Sequence, residues 1–306
     1  MAGAGLAMNA VRLSQEVSEA QEARIGVVAL ETSVVGQGLP PPRNLECVQR
    51  MSDAIREAGG VPAWIGVVDG AVVVGLSGEE LRMFAEPGRA AKVARRDLPF
   101  ALSHGGLGAT TVSSTIWAAH RAGILVCATG GTGGVHPHSG DVSADLLELA
   151  RTPVLLVSSG PKSIVDPVAT AERLEELGVG VVGYGCDRMP FFLAREAPVE
   201  LDQRIEDPAG AVGLIRALEA MEAASGLLLC NPIPEGSAMD AEVVAEAVRA
   251  CEEESARRGV RGKEVTPFLL SCLAQRTGGA SMDANLVLLE ENARLAGAIA
   301  AAEASL

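Results

Sequence analysis

The chain is predicted to fold as a three-layer α/β/α sandwich around a mixed, mostly parallel sheet, and three observations carry that expectation. Short, continuous apolar runs alternate with amphipathic helical stretches, and such runs suit parallel strands buried on both faces. Hydrophobic residues make up 48% of the 306 residues and aromatics only 3%, so Val, Leu and Ala must fill the core. An Asp69-Gly70 turn between two β-rich runs adds an antiparallel pair, which makes the sheet mixed.

Taken in order, residues 1–24 read as an N-terminal helical arm with an amphipathic stretch over 6–20, and 25–306 as a single α/β domain. The first strand spans 25–30 and ends in Glu31. A carboxylate straight after a buried strand is either a loop acceptor or a member of a site. The stiff loop Pro40-Pro41-Pro42 leads into a helix over 45–58, with Leu45, Val48, Met51 and Ile55 on one face. Strands over 63–68 and 71–76 form the hairpin. A short helix over 79–84, a basic turn over 92–97 and a strand over 98–103 follow.

A glycine loop over 104–109 precedes a helix over 112–122. The run 124–128 then feeds Gly130-Gly131-Thr132-Gly133-Gly134, a helix over 143–150 and a strand over 154–157, which delivers Ser158-Ser159-Gly160-Pro161-Lys162. In a parallel sheet both loops leave the same edge, at the carboxyl ends of strands, where open α/β sheets bind ligands. Beyond lie a helix over 168–177, a strand over 179–183, a Pro- and aromatic-bearing loop over 189–196, a helix over 208–224 and a strand over 226–230. Helices over 240–258, 266–277 and 282–303 close the chain.

The net charge of −14 argues against a nucleic-acid or anionic-membrane partner, since either needs a basic face. A bound phosphate must therefore be held by a local site. No apolar stretch approaches membrane-spanning length. The N-terminus lacks the basic start and long apolar core of a secretory signal, so a cytoplasmic protein is expected. Cys47, Cys127, Cys186, Cys230, Cys251 and Cys272 are scattered with no CxxC pair and read as small buried hydrophobes.

Only three lysines occur, Lys92, Lys162 and Lys263, and the other 22 of the 25 basic residues are arginine. Codon bias explains the ratio. A lysine kept against that bias marks a place where a permanently charged guanidinium would not serve. Lys162 has two readings: a neutral amine fit for Schiff-base chemistry if burial and a helix start disfavour the ammonium, or a charged group holding phosphate.

The glycine loops resemble phosphate cradles, because closely spaced glycines let backbone N–H groups approach an anion. Residues 131–136 do not spell GxGxxG, and no GxxxxGK[ST] occurs, so a small phosphorylated ligand fits better than a dinucleotide or a nucleoside triphosphate. His136 and His138 flank a proline and diverge, which disfavours zinc held by both. Asp141 with water ligands would suit magnesium or manganese, while Asp141 or Ser143 could equally cap the helix over 143–150.

Nine ordered blocks resemble the pseudouridine-5′-phosphate glycosidase family, which includes indigoidine-synthase-A-like proteins. They are ALETS at 29–33, KVARRDLP at 92–99, GATTV at 108–112, CATGGTGGVH at 127–136, DVSADLLELART at 141–152, KSIVD at 162–166, NPIPE at 231–235, RGKEVTPFLL at 261–270 and TGGASMDANLVLLEENARL at 277–295. The resemblance implies a manganese-dependent homotrimer that cleaves pseudouridine 5′-phosphate reversibly to uracil and ribose 5-phosphate. By motif, it implies Glu31 as proton donor, Lys162 as the nucleophile that forms an imine with ribose C1, and Asp141 as the holder of Mn2+ (or Mg2+).

The resemblance further implies substrate contacts from Lys92, Val112, Ser143, Ala144 and Asp145, with Thr132, His136 and Asn285 nearby. A C–C bond offers no heteroatom leaving group, so a lysine imine is better suited to it than paired carboxylates. The family carries histidine where Gln37 stands and tyrosine where Pro42 stands, and its loop before the aspartate is about three residues longer. These departures sit in loops that could face the aglycone. An alternative is therefore a C-ribosyl synthase of secondary metabolism that joins ribose 5-phosphate to an aromatic acceptor. A non-catalytic sugar-phosphate binder is a more distant alternative, for binding alone needs neither an acid nor an amine.

Overall fold

The structure, a computed structural model, describes residues 10–137 and 140–306, the Lys263 side chain excepted. His138, weighed above as a metal ligand, lies outside the described residues. In chain order the strands are β1 (Val11–Leu13), β2 (Val27–Glu31), β3 (Val61–Val68), β4 (Ala71–Val74), β5 (Ala91–Val93), β6 (Leu107–Thr110), β7 (Val126–Ala128), β8 (Leu155–Ser158), β9 (Gly180–Tyr184), β10 (Arg204–Ile205) and β11 (Leu227–Cys230). They form one sheet in the order β1-β4-β3-β2-β7-β8-β11-β9-β10, with β6 on β3 and β5 on β6. Only β3–β4 and β3–β6 are antiparallel, so the sheet is mixed and mostly parallel, as expected.

The helices are α1 (Gln15–Glu22), α2 (Arg43–Glu57), α3 (Gly78–Ala85), α4 (Leu98–His104), α5 (Val112–Arg121), α6 (Ala144–Leu149), α7 (Pro167–Glu176), α8 (Pro208–Ala220), α9 (Ala241–Arg258), α10 (Val265–Arg276) and α11 (Ala280–Ala304). Period-two alternation divides each central strand between two cores. Val28 and Leu30 of β2, Val126 of β7 and Leu155 of β8 pack towards α2, α8 and α11. Val27, Ala29, Cys127 and Leu156 pack towards α1, α5, α6 and α7. Strands that must be apolar on both faces explain why the runs read as continuous rather than alternating.

The long helix α11 lies across the first core and approaches the start of β2 very closely. A Cβ added at Gly26 would sit 2.2 Å from the carbonyl carbon of Ala300. Only a glycine admits backbone that near, which explains the residue just before β2.

One edge of β3 changes partner along its length. Val61–Ile65 pairs with β2, and Gly66–Val68 pairs with β6, which arrives from the opposite direction. Where the two partners meet, Thr32 Oγ1 and Thr110 Oγ1 both donate to the Ile65 carbonyl, at 2.7 and 2.6 Å. Thr32 Oγ1 also accepts from the Thr110 N–H at 3.0 Å. Glu31, the last residue of β2 and the partner of Ile65, stands at this fork.

Four expectations need correction. Residues 98–103 are helix α4 rather than a strand, with Asp97 at the N-cap position and Pro99 in the first turn. Proline costs little there because its missing N–H would have no helical partner, and a short apolar run cannot by itself separate strand from helix. The strand comes from the glycine loop that follows, as β6, and Lys92 lies in β5 rather than in a turn. The N-terminal stretch is not helical throughout, since Val11–Leu13 pairs with β4 and extends the sheet. Finally, Cys251 of α9 and Cys272 of α10 form a disulfide, although neither lies in a motif that announces one. Cys47, Cys127 and Cys230 are buried, as expected. Among the described residues no helix is long and apolar enough to cross a membrane.

Two measurements test this architecture. Gly26→Ala should destabilise the chain by about 3 kcal/mol, as overpacking of a closed core does, read as a lower urea midpoint. Protein unfolded without reductant should take up alkylating agent at the four cysteines outside the disulfide and at all six only after reduction, read by intact mass.

Candidate active site

The carboxyl ends of β2, β7, β8 and β11 open on one edge, and a cavity of about 500 Å³ lies there. Glu31, Lys92, Val112, His136 and Asp141 line it. Ser143, Ala144, Asp145, Lys162 and Asn285 line it as well. Of the expected site residues, Thr132 is the exception: it is fully buried, does not reach the cavity, and its hydroxyl lacks a hydrogen-bond partner. Its backbone explains its place, since Thr132 N–H donates to the Gly160 carbonyl and its own carbonyl accepts from Lys162 N–H, each at about 3 Å. That pairing sets the turn that presents Lys162.

Glu31, the last residue of β2, is 6% exposed. A buried carboxylate needs donors, and both oxygens have one. Ser33 Oγ donates to Oε2 and Thr129 Oγ1 donates to Oε1. The two hydroxyls come from the loop after β2 and the loop after β7, so the carboxyl group is held by neighbouring strand ends. Neither Ser33 nor Thr129 stood out in the sequence, because a hydroxyl after a strand is common and its target is three-dimensional.

Lys162 follows β8 in a turn and is partly buried on the cavity wall. No helix begins beside it, contrary to expectation: α7 starts at Pro167, and its N-cap is Asp166, which accepts from Ala169 N–H. Lys92, brought by β5, lines the same cavity with Arg96 and Arg173. These side chains make the local basic site that an acidic protein needs if it is to hold a phosphate.

In the glycine loop after β7, part of the backbone that a phosphate cradle would use is already taken. Gly133 N–H is taken by Asp145 Oδ2 at 3.0 Å, Val135 N–H by Thr170 Oγ1 at 3.0 Å and His136 N–H by the Asp141 carbonyl at 2.8 Å. Its glycines allow close packing instead: a Cβ on Gly133 would lie 2.2 Å from Ser143 Oγ, and one on Gly134 2.3 Å from Thr170 Oγ1. Asp145 spends its other oxygen on the Ser113 N–H at the start of α5, at 2.9 Å. The anion at that helix start is thus the protein's own carboxylate. Ser143 caps α6 through the Asp145 N–H, while Asp141 lies further out, exposed on the wall.

Burial pushes the His136 imidazole below its ordinary value. Asp141 opposes the shift, and Lys92 and Lys162 reinforce it. Among the described residues no group of three or more His, Cys, Asp or Glu side chains is arranged to hold a metal ion. Asp145 is committed to two backbone donors, and Asp141 stands exposed on the cavity wall.

A family model described as "Indigoidine synthase A like protein" matches residues 16–302. The chain is 43% identical to a pseudouridine-5′-phosphate glycosidase of Saccharopolyspora erythraea, over 95% of this chain and 97% of the relative. It is 45% identical to one of Myxococcus xanthus, over 96% and 98%. Two solved structures are similar. An indigoidine synthase A-like protein of Thermotoga maritima superposes with a TM-score of 0.89 at 39% identity, covering 96% of both chains. The prealnumycin C-glycosynthase AlnA, solved in complex with ribulose 5-phosphate, superposes with a TM-score of 0.89 at 38% identity, covering 97% of this chain and 98% of AlnA.

In metal-free protein the His136 ring should titrate below 6.5, and Asp141→Asn should lower it further by removing an opposing attraction, both read by NMR. The native chain then stays neutral at this ring while the unfolded chain takes up a proton. The contribution to stability is therefore present above pH 6.5 and is lost as the pH falls towards the folded value.

Proposed function

This chain belongs to the indigoidine synthase A like family, and from that premise we propose that it makes or breaks a C–C glycosidic bond at C1 of ribose 5-phosphate through an imine on Lys162. The observation that carries the reading is that a buried acid, Glu31, and the amine of Lys162 open on one cavity whose wall also bears Lys92, Arg96 and Arg173. A sugar-phosphate binder would need the cations but not a carboxyl group held between two hydroxyls on the same cavity as a lysine.

In the cleavage direction the substrate is pseudouridine 5′-phosphate. Glu31 gives its proton to the ring oxygen as the C1–O bond breaks, and the unprotonated Lys162 amine bonds to C1. The nitrogen lone pair then expels uracil through its carbon, which takes a proton, and leaves the imine. Water hydrolyses the imine to ribose 5-phosphate and restores the amine. A lysine suits this chemistry where arginine would not, since a guanidinium stays protonated.

Asp141 would hold Mn2+ or Mg2+, a hard cation that keeps several waters and needs few protein oxygens. Such an ion would offset the charge of the sugar phosphate. The same reading includes a homotrimer in the cytoplasm, as the sequence resemblance implies. The opposite direction, joining ribose 5-phosphate to an aromatic acceptor, draws its support from the likeness to AlnA over nearly the whole chain.

Incubation with ribose 5-phosphate and borohydride should leave a reduced pentose-phosphate adduct on Lys162, read by intact mass and peptide mapping. Lys162→Ala and Lys162→Arg should abolish it, and Glu31→Gln should slow uracil release from pseudouridine 5′-phosphate by about 100-fold or more. Absence of an adduct on the native chain would leave only a binding protein. An adduct without uracil release would select the synthetic direction.

A further inference from the structure

Gln37 holds an acceptor with no donor. It lies in a π-helical turn, Val34–Gly38, that begins three residues after Glu31, and such turns occur often at functional sites. The side chain is part of the cavity wall. Its Nε2 donates to the Ala90 carbonyl at 2.9 Å, while its Oε1 is buried with no hydrogen-bond partner. The amide cannot be turned over to remedy this, because its oxygen would then face a carbonyl oxygen. An orphaned buried acceptor is costly, so its retention beside a site calls for a donor that arrives with a ligand.

The halves of the substrate differ in what they can offer. A phosphate at neutral pH supplies acceptors and belongs with the cations. A sugar hydroxyl can turn to donate or accept. A heterocycle N–H is a donor fixed in direction, which is what a fixed acceptor can read. The surroundings agree: the 34–38 turn packs against α10 as well as β5, and Val34, Pro267 and Leu270 line the cavity with Gln37, giving apolar surface for the faces of a flat ring. Because Oε1 has no partner within the protein, a donor brought to it gains a bond without breaking one. A ring lacking that N–H forgoes the gain, so sites of this kind reject analogues strongly.

We propose that Gln37 is the residue that selects the ring joined to C1, by accepting a hydrogen bond from a ring N–H through Oε1. This rests on the reaction proposed for Glu31 and Lys162, and it says which acceptors or leaving groups the site takes: heterocycles with an N–H on the edge facing Gln37, in preference to carbocyclic or N-alkylated rings.

The test separates ring recognition from sugar chemistry. In a Lys162→Ala background, which cannot turn over, the dissociation constants of pseudouridine 5′-phosphate and its 1-methyl and 3-methyl derivatives are measured by calorimetry, with Gln37 intact and with Gln37→Met. Expected is a 10- to 100-fold weaker binding of the parent in Gln37→Met. One methyl derivative should bind the Gln37-intact protein equally weakly and lose nothing further in Gln37→Met. In a chain with Lys162 intact, Gln37→Met should trap ribose 5-phosphate with borohydride as well as the native chain does, which also shows that it folds. Equal affinity of both proteins for the parent, tolerance of both methyl groups, or no binding of the parent at all would overturn the assignment to Gln37. Loss of the trapped imine in Gln37→Met would make the residue structural. Failure of the native chain to form an imine, with ring discrimination intact, would instead refute the reaction and leave the assignment standing.

Discussion

The site depends on the amide of Asn292, a polar group with no exposure in the middle of α11. Its Nδ2 donates to the Thr129 carbonyl at 2.8 Å and to Ser159 Oγ at 3.1 Å, and its Oδ1 accepts from Asn231 Nδ2 at 3.0 Å. Thr129, Ser159 and Asn231 follow β7, β8 and β11. One buried side chain therefore ties the carboxyl ends of three adjacent strands to a single helix. A network satisfied at every member stiffens what it joins, whereas a gap in it would be expensive in so dry a place. Thr129, held in this way, is the residue whose hydroxyl grips Glu31.

A second constraint sits at the neighbouring edge of the sheet. The fork at Thr32 and Thr110, where β3 exchanges β2 for β6, lies at the end of β2 next to Glu31. The strand that carries Lys92 enters through the same device, since β5 pairs only with β6. Acid and cation therefore reach the cavity from different branches of one sheet. Asp145 does comparable work on the far wall, joining the loop after β7 to the start of α5. Asn292, Thr32–Thr110 and Asp145 each fix backbone beside the cavity to a neighbouring element. Such fixity is what a reaction that must align an acid, an amine and an opened sugar requires.

The division between what can be read from a string and what cannot follows from the range of the interactions. Apolar runs, the Asp69-Gly70 hairpin and the helical stretches are local, and so the alternation of strands and helices, the mixed sheet and the shared edge of the two central loops were legible in the amino-acid order. Glu31 and Lys162 were legible too, as residue types out of place at the ends of buried strands. The segment 98–103 was misread because a six-residue apolar run carries no decisive period, and the disulfide between Cys251 and Cys272 because pairing is a matter of distance in space.

Glycines marked the central loop, but their purpose changed once partners were in view. They admit Ser143, Thr170 and Phe192 at close range, and the N–H groups of Gly133, Val135 and His136 are spoken for within the protein. Composition and pattern alone determined that an acidic α/β chain gathers a carboxyl group and a lysine at one sheet edge, because burial periodicity is written residue by residue. Tertiary structure alone decided which hydroxyls hold Glu31, that Asp145 braces the scaffold, that Thr132 is turned away and that Gln37 keeps an unanswered acceptor. Ser33 apart, which lies two residues from Glu31, these outcomes turn on segments separated by 12 to 98 residues, and no local preference specifies them.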